Sequence, residues 1–287
     1  MNIDSTAAAA AAPWLLRTAR LAFVLMLVVV VASAWLRLAA PRAACVDWPG
    51  CRSAFAPAVR AAGGSAASAA AAMSAVPLLA GLRSAHRFAA SLLLPTVFAL
   101  VVLARRARRR GLAARALVMG ALALGLAALG IVTPGTRSAA VLLGNFLGGV
   151  ALLALAWSAL CALRAGPALP PGTARWALAG AAVWLLQAAF GVLSGAPAAV
   201  RGQLPMPVFH LTLALPALMW GGAVGLAALR AGRRREGAAL VVIVLLQTVL
   251  GLLTAGSAAA PAWVLVHGVI AAGGVALMLG LAVAPRR

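Results

Sequence analysis

Acidic residues are almost absent from this sequence. Its 287 residues include three of them, Asp4, Asp47 and Glu236, against 24 basic residues, every one an arginine. A transporter that couples its substrate to ions needs an acidic residue within the membrane, and the apolar runs of this chain offer none. Charged residues of both signs make up 9% of the chain and hydrophobic residues 65%, more apolar surface than a soluble domain of this length can bury. The sequence therefore predicts an integral membrane protein.

Cysteine is also scarce. Three cysteines are too few for a fold that depends on a disulfide scaffold. Cys45 and Cys51 lie close together in a polar loop, whereas Cys161 lies within an apolar run and is most simply a small buried residue.

Long apolar runs dominate what remains. Each is long enough to cross a hydrocarbon core of about 30 Å as a helix, and none shows the alternation of a barrel strand. The predicted fold class is therefore all-α, with eight transmembrane helices. The runs occupy residues 14–38, 84–104, 112–133, 138–163, 175–196, 207–229, 237–256 and 261–284.

The arginines predict the orientation of these helices. A net charge of +21 would indicate a nucleic-acid partner in a soluble protein. Here the arginines cluster in short gaps between apolar runs, as on the cytoplasmic side of membrane proteins, and no nucleic-acid partner is predicted. The densest clusters, RRARRR at 105–110 and RRR at 233–235, lie on the same side as both termini. We therefore expect cytoplasmic N- and C-termini and an external loop at 39–83.

Two segments allow more than one interpretation. The first span, with Ala32-Ser33-Ala34 near its end, also has the composition of a cleavable signal peptide, which would leave seven spans. The loop at 39–83 contains the low-complexity stretch AAGGSAASAAAAMS, which predicts either a flexible segment or a short helix lying on the membrane.

A short motif recurs at the ends of three odd-numbered spans. A glycine is followed three residues later by threonine or serine, and in two copies Leu-Leu-Gln precedes the glycine by the same interval. Recurrence at equivalent positions indicates duplicated helix pairs, and hence two related four-helix halves, 1–166 and 167–287. The copies are Gly130-Ile131-Val132-Thr133, Gly191-Val192-Leu193-Ser194 and Gly251-Leu252-Leu253-Thr254, with Leu185-Leu186-Gln187 and Leu245-Leu246-Gln247 before the last two.

The three histidines follow the same repeat. His86, His210 and His267 each fall near the outer end of an even-numbered span. The interval between His210 and His267, measured onward from His86, ends near residue 143, where the polar residue is Asn145. The chain therefore carries three members of a four-histidine set, with asparagine at the fourth position.

The C-terminal pair predicts a haem site. A single intramembrane histidine is readily explained by a hydrogen bond between helices. His210 and His267, however, lie at matching depth on alternate helices of one half, where two neutral imidazoles can hold a haem iron between them. Their spacing is too long for a single-helix zinc motif, and no carboxylate or cysteine stands ready as a further ligand.

The N-terminal half is less complete. His86 can supply one axial ligand, while Asn145 is a poor ligand for haem iron, so the iron would have an open position. Arg87 follows the histidine and Arg83 lies one turn earlier, where both could bind haem propionates or contact lipid headgroups.

These residues match a family pattern over nearly the whole chain. The chain resembles the haem A synthases, eight-helix membrane proteins made of two four-helix halves. Its most specific piece follows the first span and is similar to that family's external C-x-D-W-P-x-x-C-type loop. The matching segments are Cys45-Val46-Asp47-Trp48-Pro49-Gly50-Cys51, Ala85-His86-Arg87, Val208-Phe209-His210-Leu211 and Val264-Leu265-Val266-His267.

The resemblance implies an activity and a division of labour. The family oxidises a methyl group of haem O to the formyl group of haem A, for cytochrome oxidase maturation in the bacterial inner membrane. It implies haem b bound by His210 and His267, the substrate haem bound at His86, and an external disulfide between Cys45 and Cys51. Haem O synthase or oxidase assembly factors are the protein partners it implies.

Two departures fall in the half assigned to catalysis. Arg83 stands where the family has a glutamate, and Asn145 stands where it has a histidine. The first change reverses the local charge and removes a proton acceptor. A b-type haem membrane protein without synthase activity, which transfers electrons or handles haem, is therefore the alternative.

Overall fold

Eight α-helices make up the regular structure of this computed structural model, which describes residues 3–39, 66–133, 138–164, 167, 169–194, 205–256 and 261–283. Each helix contains a segment long and apolar enough to cross a membrane, and these ranges contain no strand. The predicted fold class is confirmed, and it fits an integral membrane protein. In chain order the helices are α1 (Ile3–Ala39), α2 (Ala66–Arg106), α3 (Arg110–Val132), α4 (Ala139–Leu163), α5 (Pro171–Ser194), α6 (Met206–Arg230), α7 (Arg234–Gly256) and α8 (Pro261–Ala282).

The helix boundaries agree with the predicted spans within a few residues, except at the start of α1 and α2. Helix α2 begins at Ala66, well before the predicted start at 84. The low-complexity stretch from Ala66 onward is therefore neither flexible chain nor a separate surface helix, because it continues directly into the spanning segment Pro77–Arg106. Alanine has the highest helix propensity of all residues, which explains the extension.

Consecutive helices pack into two groups. Within α1–α4 each helix contacts the next, and α1 contacts α4; the same holds for α5–α8, where α5 contacts α8. The groups meet where α4 contacts α5 and α8, and where α1 contacts α8. A symmetry between the two halves, their boundaries at 166 and 167, and the cytoplasmic position of the termini stay predictions.

Trp184 forms the centre of the α5–α8 group. Its indole is buried, and its Nε1 donates a hydrogen bond to the carbonyl oxygen of Ala217 on α6. A β-carbon added at Gly221 would lie 2.8 Å from the ring, and one added at Gly274 on α8 would also overlap it. The two glycines therefore let α6 and α8 close around one large side chain.

The short connection between α6 and α7 is held by a buried arginine. Arg233 is 4% exposed; its Nε donates to the carbonyl oxygen of Pro167 at 2.8 Å, and its guanidinium binds the Glu236 carboxylate at 3.2 Å. Gly232 precedes it with φ +82°, a left-handed conformation that glycine adopts without strain. Arg233 thereby links the chain before α5 to the start of α7.

Candidate functional site

The structure brings His210 and His267 together. Their ring centres are 6.2 Å apart and their planes are nearly perpendicular, at 83°. The first lies one turn into α6 and the second near the start of α8, and each of these helices packs chiefly against α5 and α7. Val208 and Leu211 beside His210 are 62% and 74% exposed, whereas His210 itself is half-buried. Of this apolar stretch, the histidine is therefore the residue that turns inward.

A main-chain hydrogen bond fixes the His210 ring. Nδ1 lies 2.8 Å from the carbonyl oxygen of Gln187 on α5. Since a carbonyl can only accept, Nδ1 carries the hydrogen and Nε2 has the lone pair. This is the arrangement by which proteins orient metal-binding histidines. The amide nitrogen of the Gln187 side chain lies 3.4 Å from Nε2 and donates a long hydrogen bond to it.

His267 is held differently. The Gln247 side chain on α7 donates to its main-chain oxygen at 3.0 Å. The ring Nδ1 is buried and has no hydrogen-bond partner among the described residues, and the same is true of Gln247 Oε1. Most buried polar atoms in proteins have a hydrogen-bond partner. His267 therefore has the unsatisfied hydrogen-bonding capacity expected of a side chain that serves a further group.

The repeated sequence motif forms the surface on which both rings pack. A β-carbon at Gly191 would lie 2.8 Å from His210 Cε1 and 3.0 Å from its Nδ1, so only glycine fits beneath that ring. A β-carbon at Gly251 would lie 3.8 Å from His267 Cε1, an ordinary contact. Gly130, in the third copy, faces open space. The repeat in the sequence identified the glycines, which were predicted to let neighbouring helix backbones approach closely. It predicted no role for the two glutamines.

The separation of the two rings can be compared with that of two imidazoles bound to one metal ion. Metal–imidazole bonds of about 2.0–2.1 Å place two ligating nitrogens on opposite sides of an ion about 4 Å apart, and hence their ring centres about 6 Å apart. The observed ring-centre distance of 6.2 Å is close to this value. No group of three His, Cys, Asp or Glu side chains occurs among the described residues, so the pair has no additional ligand of the kind a zinc site needs.

His86 has a partner that the sequence did not predict. Its Nε2 lies 3.1 Å from the hydroxyl oxygen of Ser33 on α1. Asn145 on α4 donates its amide to the carbonyl oxygen of Val141 in its own helix, at 3.0 Å. The spacing of the histidines predicted that His86 and Asn145 form a pair. In the structure each bonds a different partner, and no hydrogen bond joins the two. Ser33 is not part of the repeated motif. It lies opposite His86 because of the rotation of α1 about its own axis, which the sequence pattern does not indicate.

The other predicted site residues are two arginines and two cysteines. Arg87 is exposed and Arg83 is half-buried on α2, on the turns around His86. Cys45 and Cys51 lie outside the described residues, so their disulfide stays a prediction. Cys161 is buried on α4, which confirms its interpretation as a small core residue.

Comparison with known proteins supplies no relative, because neither a protein-family model nor a curated protein matches this chain. The resemblance to haem A synthases stays a prediction. Any assignment of function depends on the residues themselves, above all on the imidazole pair and its supporting glutamines and glycines.

Proposed function

We propose that this chain is a haem A synthase-type membrane oxidoreductase, which oxidises a methyl group of haem O to a formyl group in cytochrome oxidase maturation. The observation that carries the proposal is the pairing of His210 with His267, whose ring centres are 6.2 Å apart, close enough for both imidazoles to bind one iron. The motifs around His86, the C-terminal histidines and the Cys45–Cys51 loop support the same family. A bacterial plasma membrane is the proposed location.

In the proposed C-terminal site, His210 and His267 would hold a haem b. The Gln187 carbonyl keeps the hydrogen of His210 on Nδ1 and so leaves Nε2 for the iron, while Gly191 gives the ring its place. The long contact from the Gln187 amide to Nε2 is weak enough to be exchanged for a metal bond. A haem held in this way supplies one-electron transfer.

The proposed N-terminal site binds the substrate haem. His86 would provide its axial ligand, with Ser33 orienting the ring through the hydroxyl. Arg83 and Arg87 would bind the propionates through charge-assisted hydrogen bonds. Arg83 lies three residues before His86 on α2, on the same helix face, and Arg87 follows the histidine directly.

A non-catalytic b-type haem protein is the second candidate. It is favoured by the state of the N-terminal half, where the Asn145 amide bonds its own helix and Arg83 replaces the family's glutamate. Neither residue can accept a proton or complete a pair of axial ligands as the family's residues do. In this alternative the C-terminal haem would transfer electrons or be handed to another protein.

The haem b site is tested by quantifying haem and recording reduced spectra of the purified protein. We expect a low-spin b-type spectrum in the wild type and its loss in His210→Ala and in His267→Ala, because each variant removes one of two axial ligands. His86→Ala is the matched control and should keep that signal. Full low-spin haem in both C-terminal variants would contradict the assignment.

The activity is tested in a host that makes haem O but lacks its own haem A synthase. Haem A in the extracted pigments, and its absence when His86→Ala is expressed, would identify the enzyme. Haem b with an intact low-spin spectrum but no haem A would identify the carrier. Arg83→Glu, which restores the family's carboxylate, should then be assayed for recovered oxidation.

A further inference from the structure

Two adjoining cavities lie at the turn between α2 and α3. Both are open at the surface, and their volumes are about 510 Å³ and about 350 Å³. Each is lined by three arginines, and Arg110 belongs to both. The first is lined by Arg105, Arg108, Arg110, Ala113, Ala114 and Leu117, and the second by Arg109, Arg110, Gly111, Leu112, Arg115 and Ala162.

The backbone forces these guanidinium groups together. Helix α2 ends at Arg106 and α3 begins at Arg110, so the chain reverses direction within three residues. Arg108 adopts φ 55° in this reversal, a left-handed conformation that is costly for a residue other than glycine. The turn therefore concentrates positive charge at one end of the helix pair.

The chain has few acidic residues with which to neutralise this charge. The sequence provides three acidic residues for 24 arginines, and one of them, Glu236, is bound by Arg233 at the α6–α7 connection. Six arginines crowd the α2–α3 turn and the first two turns of α3, and neither cavity is lined by a carboxylate. Because three acids cannot balance 24 arginines, most of the balancing anions must come from outside the chain.

An apolar helix face continues directly from the cavities. Ala113, Ala114 and Leu117 line the first cavity, and below them Val118 and Leu124 are 55% and 57% exposed on α3. Helix α3 is the least buried of the eight spans. A cationic pocket above an exposed apolar helix matches a molecule with an anionic head and hydrocarbon chains. Arginine binds phosphate oxygens with two parallel N–H bonds, so phosphate is the favoured anion.

We propose that the α2–α3 turn is a binding site for an anionic phospholipid with two phosphates, of the diphosphatidylglycerol type. One phosphodiester occupies each cavity, Arg110 binds between them, and the acyl chains lie along the exposed face of α3. The two cavities hold five arginines between them, with Arg110 shared, and two linked phosphates match this pair of sites better than the single phosphate of other lipids. A soluble phosphate compound would leave the apolar face of α3 unused. The site is independent of the haem assignment.

The test compares lipid binding by the full-length protein in detergent and in phosphatidylcholine nanodiscs. Diphosphatidylglycerol is added at defined ratios, and bound lipid is counted by native mass spectrometry alongside the melting temperature. The variant Arg105→Gln/Arg110→Gln removes one wall and the shared arginine. The matched control, Arg230→Gln/Arg234→Gln, removes two exposed arginines from the corresponding α6–α7 turn. Arg115→Gln affects the second cavity alone.

We expect wild type and control to bind diphosphatidylglycerol equally, with a higher melting temperature than in phosphatidylcholine alone. The Arg105/Arg110 variant should bind it at least tenfold more weakly, and Arg115→Gln should fall between them. Equal binding by all four proteins would overturn the site. Phosphatidylglycerol binding as tightly as the two-phosphate lipid would overturn the lipid assignment, and so would an equal stabilisation by inorganic phosphate in detergent.

Discussion

The two C-terminal histidines are supported to different degrees. A main-chain carbonyl fixes the orientation of the His210 ring, and that support survives any change of the Gln187 side chain. The His267 ring has no such bond, and a glutamine side chain holds its main chain instead. His210 is therefore the preorganised ligand of the proposed pair, while His267 depends on Gln247 for its position.

Gly191→Ala should displace the His210 ring, whereas Gly251→Ala should not displace His267. The first methyl group would lie 2.8 Å from a ring atom, and the second 3.8 Å from one. Overpacking of this kind costs about 1–3 kcal/mol, which the site can relieve only by moving the ring away from its Gln187 bond. Haem content and the low-spin spectrum of both purified variants measure the effect. An equal loss in both, or in neither, would contradict the packing described for His210.

Gln247→Leu should weaken haem binding by about tenfold, within the range measured for residues that support metal ligands. The change removes the side-chain bond to the main chain of His267. Gln187→Leu is the matched comparison and should weaken haem binding less. The bond that orients His210 comes from the main-chain carbonyl of residue 187, which the variant keeps. The side-chain amide that it removes would compete with the iron for His210 Nε2. Haem dissociation rates to apomyoglobin separate the two. Faster loss from the Gln187 variant than from the Gln247 variant would reverse our assignment of the supporting residues.

At the scale of the helices, the sequence predicted well where each helix lies along the chain. It predicted poorly which face of each helix packs against its neighbours. Apolar runs defined the spanning segments because a bilayer admits only helices whose backbone groups bond one another. Alanine-rich segments ahead of α1 and α2 gave no such signal, since alanine suits a helix without requiring burial. The helices are apolar all round, so their pattern does not show which face packs inward. That is why Ser33 could not be predicted as the partner of His86, although the glutamines could have been found from their repeat.

Asn145→His should convert a haem bound at His86 from high-spin to low-spin. In the proposed N-terminal site the iron has one imidazole, because an amide is a poor ligand. The wild-type site should therefore bind added imidazole or cyanide, and the variant should not. Gly144 packs against Leu129, one residue before Gly130, so α3 and α4 meet at the level of the repeat. Absorption and electron paramagnetic resonance spectra report the spin state, with Asn145→Ala as the control. No change of spectrum with either His86→Ala or external ligand would exclude a second haem.

For the whole molecule, the two helix groups are joined along α4 and α8. Gly280 on α8 lies against the indole of Trp157 and near the Cys161 thiol, so small residues allow the groups to approach closely. Phe23 on α1 also packs against Trp157, with the two ring centres 5.4 Å apart. The histidines lie towards the opposite ends of α6 and α8 from Arg233 and Gly280. Stability at the arginine-rich end and the proposed haem binding at the histidine end can therefore be measured separately.

Arg233→Met should lower the melting temperature without affecting haem binding. The change keeps the apolar stem but leaves the Pro167 carbonyl and the Glu236 carboxylate without their donor, a loss of about 1–3 kcal/mol. Glu236 is 24% exposed, so solvent offsets part of this cost.

Arg234→Met and Arg235→Met are matched controls, because both side chains are exposed and should change stability by less than about 0.5 kcal/mol. Arg233→Lys should restore little of the lost melting temperature. A single ammonium group cannot bind the Pro167 carbonyl and the Glu236 carboxylate at once, as the guanidinium does. Thermal unfolding in a fixed detergent, followed by intrinsic tryptophan fluorescence, measures all four variants. If Arg233→Met and Arg234→Met melt at the same temperature, this arginine does not hold the α4–α5 segment to α7.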